Sequence, residues 1–164
     1  MGQLRDRLIA EMKQYFGEDK GRILHALKVT EFAEKILKEE KGDGDVVIAA
    51  AILHDIGIHE AERKYASSAG HYQEIEGPPI AREIMKRAGL EEAFVKEVCE
   101  IIGNHHSPRK VNTINFRILY DSDLLVNLGD RYRDRGKRII PKRIDRIFMT
   151  STGKKVARKQ EWGK

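Results

Sequence analysis

Apolar residues recur three and four positions apart along most of this chain, the spacing of a helix with one face turned inward. "LRDRLIAEMKQYF" (4–16) shows it, and "GRILHALKVTEFAEKILKEE" (21–40) keeps it for about five turns. "KGDGD" then interrupts with glycines, and Asp45 is the expected N-cap of the next helix. "VVIAAAILHDI" (46–56) is apolar on every side, as a central helix surrounded by others must be, with Gly57 suited to its C-terminal cap. Residues 58–76 sustain no period and read as a long loop able to cover a substrate. Pro78 and Pro79 then fit the first turn of a helix closed by Gly89. Further helices are predicted over "EEAFVKEVCEIIGNHH" (91–106), ended by Pro108, and over "NFRILYDSDLLVNLGD" (115–130). A weaker basic pair follows around "PKRIDRIFMTS" and "GKKVARKQEW". No strand alternation and no internal repeat competes, so the expectation is all-α, with about six to eight helices.

Composition narrows the class without changing that picture. A chain of 164 residues suits one well-cored domain, expected to span 1–164, with a core over about 20–130 and a basic helical extension over about 131–164. Charged residues make up 35% of it and no run of eighteen apolar residues occurs, which argues against a membrane span. The amphipathic start "MGQLRDRLIAEMKQ" does not resemble a signal peptide, so a cytoplasmic protein is expected. Charge is segregated: residues 131–164 hold thirteen Lys or Arg against three acids, whereas 1–130 carry a net charge near −5. The tail lacks the interleaved aromatics of a stacking platform. Nucleic-acid binding through it is therefore not favoured, and the run Arg131, Arg133, Arg135, Lys137, Arg138 is expected to face water.

The chemistry lies in polar residues on apolar faces. His25 shares the inward stripe of its helix with Val29 and Phe32, His105 and His106 follow Val98, Ile101 and Ile102, and Asp123 lies among Phe116, Leu119 and Val126. His54 and Asp55 end the all-apolar helix. An unpaired carboxylate there would cost several kcal/mol or take up a proton, so Asp55 and Asp123 need a cation or a cluster of donors. With Cys99 the only cysteine, a metal site must be built from His, Asp and Glu.

The ordered set His25, His54-Asp55 in "HDIG", His105-His106 and Asp123 in "YDSDLLVNL" resembles the HD superfamily of metal-dependent phosphohydrolases over roughly residues 20–130. The resemblance implies four metal ligands, His25, His54, Asp55 and Asp123, with Asp55 central to catalysis. Asp123 matches rather than Asp121 because Ser122 and Leu124 align with the family's neighbours of that ligand, and helical phase separates the two aspartates. The cofactor implied is a divalent ion such as Mn, Fe, Ni, Co, Zn or Mg, with positions left open for water and a phosphate oxygen. Arg22, one turn before His25, is placed to hold substrate phosphate. Asn127, four residues after Asp123, can steady that carboxylate or simply lie on the helix face.

Departures from the family pattern matter too. Relatives with two metals have a further histidine where this chain has Gln73, and His71 is displaced by two positions. Either the register shifts, or Glu74 or Glu76 substitutes, or a single ion binds and His105 and His106 contact substrate. A single tightly held ion is the reading adopted. Ile58 replaces the acid of some nucleotide-hydrolysing relatives, and the "GYP" signature of cyclic-dinucleotide phosphodiesterases is absent. The functional expectation is hydrolysis of a phosphomonoester or phosphodiester of a nucleotide or similar small metabolite. The alternative is a non-catalytic HD-fold module that senses a nucleotide or metal.

Overall fold

Eight consecutive residues, Val46 to Leu53, have almost no contact with solvent, and they fix the centre of the molecule. The computed structural model describes residues 2–132 and 139–160. The central segment lies in α3 (Gly44–Leu53), packed against α1 (Gly2–Phe16), α2 (Lys20–Leu37), α6 (Glu92–Ile102) and α7 (Ile114–Tyr132). Ala49, Ala50 and Ala51 bring the neighbouring helices close, while Ile52 and Leu53 fill the space between them. The remaining helices are α4 (Ile58–Tyr65), α5 (Gly70–Arg87), α8 (Pro141–Ile147) and α9 (Ser151–Lys159). Nine helices and no strand occur among the described residues, in agreement with the all-α expectation but with one helix more than the range predicted.

The extra helix comes from the segment read as a loop. Residues 58–65 are helical, Ala66 ends them in a left-handed conformation, and α5 starts at Gly70. Pro78 and Pro79 therefore stand inside α5, not in its first turn. Neither can donate a backbone hydrogen bond, so the carbonyls of Glu74 and Ile75 lose their helical partners. Gly57 precedes α4 instead of capping α3, and its role is space: a Cβ on it would sit 2.7 Å from Gly77 Cα. This contact sets α5 directly behind the His54-Asp55 turn.

The cap of α3 is Asp43, not Asp45. Its side chain accepts from the backbone N–H groups of Asp45 (3.1 Å) and Val46 (3.2 Å), while Asn115 Oδ1 accepts from its own backbone N–H at 2.8 Å. That second bond, from a distant helix, decides between two similar aspartates. Helix α6 also ends earlier than its apolar pattern suggested, so His105 and His106 sit in the turn beyond Ile102. The basic positions 133–138 and the last four residues of the chain lie outside the described residues.

Asp121 and Asp123 diverge as their helical phase requires. The fully buried Asp121 turns toward the C-terminal helices, where it accepts from the backbone N–H groups of Met149 (2.8 Å) and Thr150 (2.7 Å) and from the Thr150 hydroxyl (2.7 Å). Thr150 in turn caps α9. Asp121→Ala would strand those donors at about 1–3 kcal/mol each, detectable as a lower urea midpoint with metal uptake unchanged. Wild-type stability would show that α9 is held by other contacts.

Candidate metal centre

Three separate segments bring four side chains together. His25 comes from α2, which starts where Asp19 Oδ1 accepts from the Arg22 backbone N–H at 3.2 Å. His54 and Asp55 come from the turn after α3, and Asp123 from the inward face of α7. His54 is fully buried, and Asp55 and Asp123 are each only 9% exposed. His54 Nδ1 lies 2.8 Å from the Ala51 carbonyl, which can only accept, so Nδ1 carries a hydrogen and Nε2 faces the cluster.

The spacing of these atoms is informative. His25 Nε2 is 3.2 Å from His54 Nε2, 3.4 Å from Asp55 Oδ2 and 3.0 Å from Asp123 Oδ1. His54 Nε2 stands 3.3 Å from each of the same two carboxylate oxygens. Ligands about 2.1 Å from one ion lie roughly 3.0 Å apart at right angles and roughly 3.4 Å apart at tetrahedral angles. The observed separations fall within that interval, so His25, His54 and Asp55 suit a shared divalent ion in chemistry and spacing, and Asp123 lies within reach of both histidines.

On the other side of Asp55, Oδ1 lies 3.4 Å from His105 Nε2. His105 donates from Nδ1 to the Ile102 carbonyl at 2.6 Å, and its buried Nε2 has no hydrogen-bond partner. A lone pair facing a carboxylate needs a proton or a cation between them. His106 is held differently. Gln73 donates its amide N–H to the Ser68 carbonyl at 2.6 Å, which turns its oxygen toward His106 and makes His106 Nε2 the donor at 3.1 Å. Glu74 accepts from the His106 backbone N–H at 3.3 Å, and a Cβ on Gly70 would collide with the His106 ring.

The family model for the HD domain matches residues 22–128, a span containing all four converging side chains. The chain belongs to the HD domain family. Among solved structures it is similar to a predicted HD superfamily hydrolase from an uncultured Thermotogales bacterium, at 27% identity and a TM-score of 0.68. That alignment covers 92% of this chain and 81% of the other. No curated protein matches. The HD domain is thus a member of a superfamily of metal-dependent hydrolases, and its His/Asp cluster can hold a divalent ion.

Charge in this HD domain is balanced within the cluster. Burial alone would lower the His54 pKa, but Asp55 and Asp123 outweigh it and hold it well above an ordinary imidazole. Burial would likewise raise Asp55 and Asp123, yet the histidines keep both carboxylates below their usual range. For His106, burial and the adjacent His105 lower the pKa.

Above the cluster opens a cleft of about 420 Å³. Arg22, His25, Asp55, Asp123 and Asn127 line it, together with Asp19, Gln73, His106 and Asp130. The Arg22 guanidinium is 3.7 Å from Glu62, and both side chains remain well exposed. Glu76 is not brought to the cluster: its carboxylate accepts from Lys64 Nζ (3.0 Å) and Tyr65 Oη (2.9 Å) on α4. His71 packs against Tyr72 instead. Sequence reasoning missed Asp19, although an Asp three residues before Arg22 at a helix start is a legible capping signal.

Proposed function

We propose that this HD domain hydrolyses a phosphate ester of a small metabolite or nucleotide, with His25, His54, Asp55 and Asp123 as ligands of one divalent ion. The observation that carries the reading is the convergence of those four side chains, the two histidines 3.2 Å apart and each 3.0–3.4 Å from an oxygen of Asp55 and of Asp123, in a cleft that also presents Arg22. A divalent ion bound there would lower the pKa of a coordinated water and withdraw charge from a phosphoryl oxygen.

The chain's own groups do the rest. The Ala51 carbonyl fixes the His54 tautomer, so Nε2 is presented without a search among ring states. Asp55 faces the two histidines with one oxygen and His105 with the other, and so sets the position of everything bound between α2 and the 103–106 turn. Arg22 is the guanidinium that receives phosphate, exchanging its loose contact with Glu62 for bidentate hydrogen bonds to the ester. The cleft volume is at the lower end of the range for small-molecule sites, which favours a small metabolite over a macromolecule. In the C-terminal helices Lys155 pairs with Glu39 and Arg158 with Asp145, which supports a solvated surface there. Among the described residues no helix is long and apolar enough to cross a membrane.

One observation favours a second reading. The unpartnered His105 Nε2, facing Asp55 Oδ1 with His106 nearby, suits a second ion, which Asp55, His105 and His106 would hold. Glu76 has no part in it.

The test is a panel of phosphate esters assayed against metal-stripped protein reconstituted with several divalent ions. Release of phosphate from at least one ester, dependent on added ion, is the expected result. Ion binding without turnover of any ester would favour the non-catalytic module. Arg22→Ala should lower kcat/KM by about 10- to 100-fold, the value of a charged hydrogen bond to phosphate, with metal content unchanged. Unaltered kinetics would assign Arg22 to its contact with Glu62.

A further inference from the structure

Asp19 lies on the wall of the cleft three residues before Arg22, and its geometry exceeds what a helix cap requires. Capping α2 uses only Oδ1, which accepts from the Arg22 backbone N–H at 3.2 Å. The other oxygen accepts from His59 Nε2 at 2.7 Å, and His59 belongs to a different helix, α4. The His59 ring packs in turn against Phe16 in an edge-to-face arrangement, with ring centroids 5.2 Å apart. The carboxylate is thereby fixed from two sides while its side chain stays 36% exposed. The His59 hydrogen bond also keeps the carboxyl group below its ordinary pKa, so it carries its charge at neutral pH.

Resting on the phosphate-ester reading, we propose that Asp19 is a specificity residue that admits substrates with a single phosphate on a neutral, hydroxyl-bearing alcohol and rejects those with a second phosphate. A phosphate gripped by Arg22 and the His/Asp cluster leaves its next substituent beside Asp19. A hydroxyl there gains a charge-assisted hydrogen bond. A second phosphate there meets a like charge that cannot swing away, because both carboxylate oxygens are already engaged. At about 4 Å, in a cleft intermediate between water and protein interior, the repulsion corresponds to roughly a tenfold loss of affinity or more. Asn127, also on the cleft wall, adds a neutral amide suited to hydroxyls.

The experiment compares AMP with ADP on protein loaded with one equivalent of manganese and freed of excess ion. Binding is read by calorimetry and phosphate release in parallel, for the wild type and Asp19→Asn. Asparagine is as good an N-cap as aspartate: its one oxygen keeps the bond from the Arg22 N–H, and its amide N–H can donate to His59 Nε2 once that ring carries its hydrogen on Nδ1, so the start of α2 survives the change. Wild-type protein should bind AMP at least tenfold more tightly than ADP. In Asp19→Asn that ratio should fall several-fold toward unity, with unchanged thermal midpoint and metal content. Equal binding of AMP and ADP by the wild type, or an unchanged ratio in the variant, would overturn the proposal and reduce Asp19 to a tie between α2 and α4. The two readings fail separately: a ratio that responds to Asp19 without any phosphate release defeats the hydrolytic reading alone, whereas release with no AMP preference defeats only the role of Asp19.

Discussion

Asp55→Asn should lose hydrolysis, by at least about 100-fold, and bind the divalent ion far more weakly, yet fold as the wild type does. One Asp55 oxygen stands 3.4 Å from His25 Nε2 and 3.3 Å from His54 Nε2, the other 3.4 Å from His105 Nε2. An amide replaces one of them with a donor and removes one of the two negative charges that would face a divalent ion. Changes in groups that merely support a ligand cost about 10- to 100-fold, so loss of a ligand should cost more. The fold should survive because asparagine keeps the size of the aspartate side chain and the buried apolar residues of α3 that hold the turn are untouched. Circular dichroism should therefore be unchanged while phosphate release at saturating metal disappears. Wild-type turnover in this variant would make Asp55 structural.

Two residues earlier in the same run the opposite result is expected. Leu53→Ala should lower stability by roughly 2–5 kcal/mol while leaving metal stoichiometry intact in the folded protein. Leu53 is fully buried and Ile52 is only 1% exposed, in the last turn of a helix with neighbours on every side, so truncation leaves a cavity that rigid helices cannot close. In a domain of this size that loss corresponds to a fall in thermal midpoint of about 4–20 °C, to be measured on metal-loaded protein. A shift under about 2 °C would mean that the core relaxes around the gap. Together the two variants divide "AAAILHDIGIHE" into a part that holds position and a part that holds the ion.

How far this arrangement could be read in advance differs from segment to segment. The periodic stretches α1, α2 and α7 and the wholly apolar α3 were legible because burial dictates their pattern. Helix α4 was not, since it has only eight residues and is followed by the left-handed Ala66 and a serine-rich connection. With α4 unseen, the partners of Glu76 could not be seen either, and a residue held by Lys64 and Tyr65 looked available to a metal. Pro78 and Pro79 misled for a related reason: proline usually marks a first turn, but here α5 begins eight residues before Pro78. Asp43 prevailed over Asp45 through Asn115, a contact 72 residues away that no local pattern encodes. By contrast, the family match of Ser122 and Leu124, with helical phase as support, already separated Asp123, beside His25, from Asp121, beneath Thr150. The role of Asp19 required the fold, because only packing brings His59 of α4 against the start of α2.

This cluster should support phosphate ester hydrolysis only when it holds a divalent ion. The most direct test is to titrate fully metal-stripped protein with a single divalent ion and follow phosphate release against equivalents added. The expected curve starts at zero and rises with added ion, with its break at about one equivalent per chain for a single-ion site and at about two if His105 and His106 help hold another. Phosphate release by the stripped protein at the rate of the loaded protein would contradict the account.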